Sequence, residues 1–155
     1  MNKQFYLTLV LTGFFISLFG QEPSALRKRQ FNLEDNIAIE GYDPVAYFKN
    51  NKATKGKKEF AVSHQGVIYY FASAENKEEF KKTPGRYEPE YGGWCAYAMG
   101  AKGEKVSVDP ATYKIVNGKL YLFYNSFLNN TLKSWNKDEA HLKTEADKNW
   151  KKIYH

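Results

Sequence analysis

The sequence predicts a small α+β protein, and two features of the chain lead to that prediction. Two β-rich pairs of segments, at 60–71 and 113–124, are each interrupted by a turn and followed by a helical segment. The chain then closes with an amphipathic helix. Hairpins followed by helices that cover one side of a sheet are typical of α+β folds. The predicted architecture is two hairpin–helix units sharing one small antiparallel sheet, plus a C-terminal helix.

The first 20 residues have the pattern of a secretory signal peptide. Lys3 precedes an uncharged stretch of 15 residues from Phe5 to Phe19. That is the length of a signal-peptide core, and it is short of the ~20 apolar residues that span a bilayer. We therefore predict a signal peptide at 1–20, a polar linker at 21–30 and one domain at 31–155. The predicted protein is soluble, lies in the periplasm or outside the cell, and has no transmembrane span after processing.

The charge pattern excludes one class of partner. The formal net charge is +6, but lysine and glutamate alternate along segments such as 75–82, as on a solvated helix face. A nucleic-acid site would need a basic stripe with interleaved aromatic residues on one element. No element of the sequence has that pattern, so nucleic acid is not a predicted partner.

The first unit begins with a short apolar run at 37–39, which a turn at 41–44 closes. Pro44 fits the first position of a helical turn that continues to Phe48. Two β-rich runs at 60–64 and 67–71 flank a Gln-Gly turn and predict a hairpin. Ser73 is the predicted N-cap of the helix that follows, and this helix ends before Pro84.

The second unit repeats the same order of strand, turn, strand and helix. Its turn is at Asn117-Gly118, and its helical segment is predicted from Asn125. Measured from the turn glycine, five residues of each unit keep the same spacing. They are Gly66, Tyr69, Phe71, Ser73 and Phe80 in the first unit, and Gly118, Tyr121, Phe123, Asn125 and Leu132 in the second. Aromatic residues two apart lie on one face of a strand. The repeat therefore predicts that both hairpins present an aromatic face to the core.

The last predicted element is a helix over Asp138–Trp150. Its core-facing stripe is predicted from apolar residues at helical spacing. They are Leu142, Ala146, Trp150 and Ile153.

Three stretches of the chain carry a specific likeness to one family. They run from Gly41 to Phe48, from Gly66 to Ser73 with Phe80 and the segment 84–87, and from Tyr91 to Ala98. Their order and spacing resemble the YHS-domain family, specifically its longer exported members, and the likeness extends over about 31–153. The resemblance implies a small α+β unit and an association with heavy-metal handling. In short members of the family, two cysteines occupy the positions of Ala46 and Ala72, so the resemblance supplies no metal ligand there.

Copper or zinc could still be held by other residues. A tight site needs at least three converging donors, and thiolate with imidazole suits either metal. The candidate ligands are Cys95, His64, Asp43 and Met99, with His141 and His155 as further imidazoles. Each main candidate also has an ordinary alternative. His64 fits a surface turn, Met99 fits the core, and Asp43 fits a helix cap or turn acceptor.

Cys95 is the single cysteine of the chain, so no intramolecular disulfide is predicted. It fits a small buried hydrophobe, a metal ligand, or a reactive thiol at the start of a helix. No base and orienting residue can be identified beside it, so the sequence does not predict an enzyme.

A further candidate site is the turn Tyr91-Gly92-Gly93-Trp94. Glycine permits close approach, and tyrosine or tryptophan can anchor a ligand. The alternative is a tight, aromatic-packed turn that the fold requires.

These observations predict an exported, non-catalytic YHS-like binding module, associated with copper or zinc through Cys95. Two alternatives remain open. One is a redox-active thiol protein. The other is a metal-free scaffold that binds a small apolar or aromatic ligand, or another exported protein.

Overall fold

A computed structural model describes residues 23–154 of the chain. The predicted signal peptide at 1–20 and the candidate ligand His155 lie outside the described residues. Within residues 23–154, none of the helices combines the length and the apolar character needed to cross a membrane.

The first half of the fold contains a sheet with two helices following it. Its elements are α1 (Pro23–Gln30), β1 (Leu33–Glu34), β2 (Ile37–Ala38), a 3-10 turn (Ile39–Gly41), α2 (Pro44–Asn50), β3 (Lys57–His64), β4 (Val67–Phe71), α3 (Ala74–Lys82) and α4 (Pro84–Tyr87). The second half has two short hairpins and three helices. Its elements are a 3-10 turn (Glu90–Gly93), α5 (Ala96–Lys102), β5 (Asp109–Val116), β6 (Lys119–Phe123), β7 (Asn125–Ser126), β8 (Asn129–Asn130), α6 (Thr131–Trp135) and α7 (Glu139–Tyr154). The predicted α+β class is confirmed.

The first predicted unit is present as a hairpin and a capped helix. β3 and β4 pair antiparallel, with His64 opposite Val67 across the Gln-Gly turn. The Ser73 hydroxyl oxygen accepts a hydrogen bond from the Asn76 backbone N–H at 3.2 Å, so Ser73 is the N-cap of α3. Both features were predictable because every residue involved is close in sequence.

The prediction of one shared antiparallel sheet is wrong. β5 and β6 form a separate two-stranded sheet, and the first sheet has the strand order β1-β2-β4-β3. β2 runs parallel to β4, and the Ile68 backbone N–H donates to the Asn36 carbonyl at 2.8 Å. A strand has only two hydrogen-bonding edges. Because β2 and β3 occupy both edges of β4, the second hairpin has no place beside it.

The predicted helix start at Asn125 is also wrong. The β7–β8 hairpin comes first, and α6 begins at Thr131 with Asn130 as its N-cap. The Asn125 side-chain amide donates instead to the Thr112 hydroxyl at 3.0 Å. The turn of this hairpin exposes Phe127 completely and Leu128 to 90%.

The predicted linker at 21–30 is, from Pro23 to Gln30, helix α1. Its Arg27 is only 6% exposed, because the guanidinium pairs with Glu88 and lies 4.4 Å from the centre of the Phe31 ring. The local composition is polar and basic, and it gives no sign that a helix packs here. The partner that holds α1 in place is 61 residues away along the chain.

The core has two aromatic parts, one in each half. Phe80 packs on Tyr69 and Phe71 in the first part, and Trp135 packs on Tyr121 and Phe123 in the second. The predicted stripe of α7 is confirmed: two of its residues are buried and two partly buried against the second part, namely Leu142, Ala146, Trp150 and Ile153.

Helices α5 and α7 are in close contact at Gly100. A Cβ atom at this position would lie 2.4 Å from the Leu142 carbonyl oxygen, which real contacts do not allow. The absence of a side chain at Gly100 therefore sets the distance between α5 and α7, and hence the position of the first residues of α5.

Two core tyrosines should respond oppositely to loss of the hydroxyl. The Tyr121 hydroxyl is buried with no hydrogen-bond partner among the described residues, whereas the Tyr91 hydroxyl donates to Asp147 at 2.9 Å. We expect Tyr121→Phe to raise the free energy of unfolding by about 1 kcal/mol, and Tyr91→Phe to lower it by about 1–2 kcal/mol. Urea unfolding of both variants measures the two changes. Equal losses in the two variants would contradict this interpretation.

Candidate functional site

A cavity of about 190 Å³ lies beside Cys95, and we call it the Cys95 cavity. It opens between α5, the loop that follows α5, and the β7–β8 hairpin. Its lining comprises Cys95, Tyr97, Ala98, Ala101, Lys102, Glu104, Val106, Tyr124, Asn129 and Thr131. The walls are mainly apolar, while Lys102, Glu104 and Asn129 are exposed and place polar groups at its mouth.

Cys95 is fixed at the wall of this cavity by backbone and side-chain hydrogen bonds. It is the N-cap residue of α5 and is fully buried. Its sulfur accepts a hydrogen bond from the Tyr124 backbone N–H at 3.3 Å and lies 3.4 Å from the Thr131 hydroxyl oxygen. That hydroxyl donates to the Tyr124 carbonyl at 2.7 Å. The thiol hydrogen therefore points to the Thr131 oxygen, and both hydrogen-bonding functions of the thiol are used.

The size of the Cys95 cavity limits what it can hold. A buried apolar cavity of about 150 Å³ binds benzene, whereas sites for drug-sized ligands begin at about 300 Å³. At about 190 Å³, the cavity matches a single ring or a short branched chain. A polar substituent on such a ligand would lie at the mouth, near Lys102 and Glu104.

Asp43, a predicted metal ligand, is the buried N-cap of α2. One carboxylate oxygen accepts from the backbone N–H groups of Val45 and Ala46, at 2.8 and 3.2 Å. The other accepts from the Ala72 backbone N–H at 2.8 Å and the Asn76 side-chain amide at 2.7 Å. A carboxylate has about four acceptor sites. All four are filled, so Asp43 acts as the cap that the sequence offered as the alternative.

The other predicted ligands do not join Cys95 either. The His64 ring packs edge-on against Phe80, with the ring centres 6.0 Å apart. Met99 is fully buried in the second part of the core, and His141 lies on the exposed side of α7. Within the part of the chain that the structure describes, no three or more His, Cys, Asp or Glu residues are grouped so that they could hold a metal ion. Among residues 23–154, the predicted ligands therefore do not converge on one copper or zinc site.

The predicted binding turn Tyr91-Gly92-Gly93-Trp94 is occupied by the protein's own residues. A Cβ atom at Gly92 would lie 2.7 Å from the Phe31 ring and 2.9 Å from the Trp150 ring. The Trp94 indole N–H donates to the Gln30 carbonyl at 2.6 Å. Gly92 also has a φ of +61°, a backbone conformation that favours glycine. This segment is the aromatic-packed turn that joins the end of α1 to α7.

A second cavity, of about 210 Å³, lies against the 3-10 turn at Ile39–Gly41. Its lining mixes both signs of charge, with Glu34, Asp35, Glu40, Lys55 and Lys58. The Lys55 ammonium donates to the Glu40 carbonyl at 2.6 Å and lies 4.5 Å from the centre of the Tyr42 ring. These contacts hold Lys55 in place. The second cavity differs from the Cys95 cavity in its charge, since five of its nine lining residues are Asp, Glu or Lys, against two of ten beside Cys95.

Sequence reasoning singled out Cys95 but missed the rest of its cavity. Thr131 contacts the sulfur from 36 residues away, and nothing in the spacing of the two residues indicates the contact. Tyr124 was identified only as the end of a predicted strand.

No protein-family model, no curated protein and no solved structure matches the chain. The likeness to the YHS family therefore stays a prediction from the motifs of the sequence.

Proposed function

We propose that the chain is an exported, non-catalytic binding module of the YHS type. Its ligand is a small, mainly apolar molecule, one ring in size, which binds in the Cys95 cavity. The observation that supports this proposal is the cavity itself, which combines mainly apolar walls, a volume of about 190 Å³ and exposed polar residues at the mouth. An apolar pocket with a few convergent polar groups is the usual form of a small-molecule site.

The wall of the cavity suits a rigid ligand. Cys95, Ala98 and Thr131 are all buried, and the sulfur hydrogen bonds link the start of α5 to the start of α6. A site whose walls are already ordered loses little conformational entropy on binding. A ligand of about eight non-hydrogen atoms should bind with a dissociation constant on the order of 0.01–1 mM.

The metal-binding and redox alternatives have less support. His64 and Asp43 are engaged elsewhere and supply no second ligand beside Cys95, whose sulfur already accepts one hydrogen bond and donates another. Fully buried, hydrogen-bonded thiols usually have a structural role.

The first test uses Cys95 as a reporter, because it is the single thiol of the chain. We expect indole, phenol or toluene to slow the labelling of Cys95 by a thiol reagent, to saturate at high concentration, and to shift the amide NMR signals of Ala98 and Thr131. Ala101→Trp should abolish both effects, because Ala101 lines the cavity yet is exposed and tolerates a larger side chain. Ala140→Trp, on an exposed part of α7, is the matched control and should bind like the original chain.

Three outcomes would contradict the proposed function. One is that no ring compound protects Cys95, and a second is that Ala140→Trp loses protection as Ala101→Trp does. The third comes from native mass spectrometry with Cu(I) and Zn(II). Stoichiometric uptake that Cys95→Ser abolishes would restore the metal-binding interpretation in place of the ring-sized ligand.

A further inference from the structure

The β7–β8 hairpin presents two large apolar side chains to solvent. Phe127 is 100% exposed and Leu128 90% exposed, and they are the two turn residues between the strands. We call them the hairpin tip. Turns of this kind usually contain glycine, asparagine or aspartate. An apolar turn in their place leaves exposed an area that another surface would cover.

The hairpin tip stands at the edge of the Cys95 cavity. The same short segment supplies three residues of the cavity wall, Tyr124, Asn129 and Thr131, so the cavity begins where the hairpin ends. One short segment of the chain therefore carries an apolar projection and lines an apolar recess of one-ring size. The benzyl group of Phe127 is the size of ligand that the recess accepts.

The charged residues at the mouth are also self-complementary. Lys102 and Glu104 are exposed at the cavity, and neither forms an ion pair with another residue in the range 23–154. In a dimer with a two-fold axis, both copies use the same surface, so if residue i of one copy contacts residue j of the other, the reverse contact also forms. One lysine and one glutamate at the same mouth can then pair twice across the axis. A surface of mixed charge does not favour an anionic membrane.

We propose that two copies of this chain associate about a two-fold axis, with Phe127 of each copy entering the Cys95 cavity of the other. Lys102 of one copy pairs with Glu104 of the other at the rim. The proposal uses the same cavity as the proposed function but does not depend on it, since the occupant is the protein itself. If both hold, a ring compound and the second copy compete, and the ligand releases the dimer.

The test measures self-association by sedimentation velocity over a wide concentration range. We expect a monomer–dimer equilibrium whose dissociation constant rises about a hundredfold in Phe127→Ala, because each dimer contains two such contacts at about tenfold each. Ala101→Trp, with a blocked cavity, should be weakened to the same extent. At concentrations where the original chain is monomeric, Phe127→Ala should keep its unfolding midpoint, because Phe127 is fully exposed in the monomer.

The decisive experiment mixes the two variants. Phe127→Ala retains the cavity and Ala101→Trp retains the tip, so a mixed pair has one intact contact where each variant alone has none. The mixture should associate about tenfold more tightly than either variant. Ala140→Trp, which keeps both the tip and the cavity, is the control for the added tryptophan and should associate like the original chain.

Each remaining outcome overturns the proposal. These are an original chain that stays monomeric, a Phe127→Ala variant that associates normally, and a mixture that associates no better than its components. The proposal also fails if the chain stays monomeric but binds phosphatidylcholine–phosphatidylglycerol vesicles through Phe127, which would make the tip a lipid contact. Binding of ring compounds to Phe127→Ala is measured in a separate experiment. Its result tests the proposed function whether or not the chain dimerises.

Discussion

Arg27→Met is expected to lower the free energy of unfolding by about 3–5 kcal/mol and to release α1 from the domain. The Arg27 guanidinium is buried and donates two hydrogen bonds to the Glu88 carboxylate. The Tyr69 hydroxyl donates to the same carboxylate at 2.6 Å. Removal of the arginine leaves Glu88, which is also largely buried, without its counter-charge. An uncompensated buried charge costs more than the ion pair itself contributes.

The electrostatics of the three groups agree with this expectation. Burial acts to lower the pKa of Arg27, but the hydrogen bond and the charge of Glu88 outweigh it, so this pKa is raised. Burial, followed by the Glu88 charge, raises the pKa of Tyr69 well above its usual value. The cluster is therefore a charged arginine, a carboxylate and a neutral phenol that depend on one another. The buried Nε of Arg27 has no hydrogen-bond partner among the described residues, so the guanidinium does not use all of its donors.

A double variant separates charge from packing. If the cost of Arg27→Met comes from the unpaired Glu88 charge, then Arg27→Met with Glu88→Leu should be clearly more stable than Arg27→Met alone. Lys28→Met, at an exposed position of the same helix, is the matched control and should leave stability unchanged. Urea unfolding measures the stabilities, and hydrogen exchange of the α1 amides shows whether the helix is released. Equal stability of the single and double variants would contradict the electrostatic interpretation.

The elements that sequence reasoning predicted correctly depend on neighbours along the chain. Ser73 caps α3 through a residue three positions on, and the α7 stripe follows from helical spacing alone. The missed elements depend on distant partners. Helix α1 needs Glu88, 61 residues from Arg27, and the pairing of β2 with β4 displaces the second hairpin from the first sheet. The local sequence pattern of a hairpin does not show which other strand will pair with the edge of β4.

The candidate site also combines a feature visible in the local sequence with features that depend on distant residues. Cys95 was identified because a single cysteine is visible in any sequence, but its function was linked to His64 and Asp43, which the fold uses for packing and capping. The Cys95 cavity is formed where α5, the loop after it and the β7–β8 hairpin meet. The hairpin was predicted as the start of a helix, so neither the cavity nor the exposed Phe127 could have been expected.

Asp43→Asn is expected to lower the free energy of unfolding by about 3 kcal/mol, although the two side chains have nearly the same shape. In the folded protein the carboxylate accepts four hydrogen bonds, from Val45, Ala46, Ala72 and Asn76. An asparagine oxygen can still cap α2, but the amide nitrogen would face two donors. A buried donor that loses its acceptor costs about 1–3 kcal/mol, and bonds to a charged group are among the strongest.

The exchange Asp43→Asn with Asn76→Asp tests this assignment. It restores an acceptor opposite the new amide, so part of the loss should be recovered, but the Ala72 backbone N–H still faces a donor and recovery should be incomplete. Asp138→Asn, at an exposed position before α7, is the control that should leave stability unchanged.

The four hydrogen bonds of Asp43 also have a consequence for metal ions. Because they fill the four acceptor sites of the carboxylate, Zn²⁺ should not raise the unfolding midpoint through this residue. A zinc-dependent rise in the midpoint that Asp43→Asn removes would mean that the carboxylate exchanges its backbone partners for a metal ion.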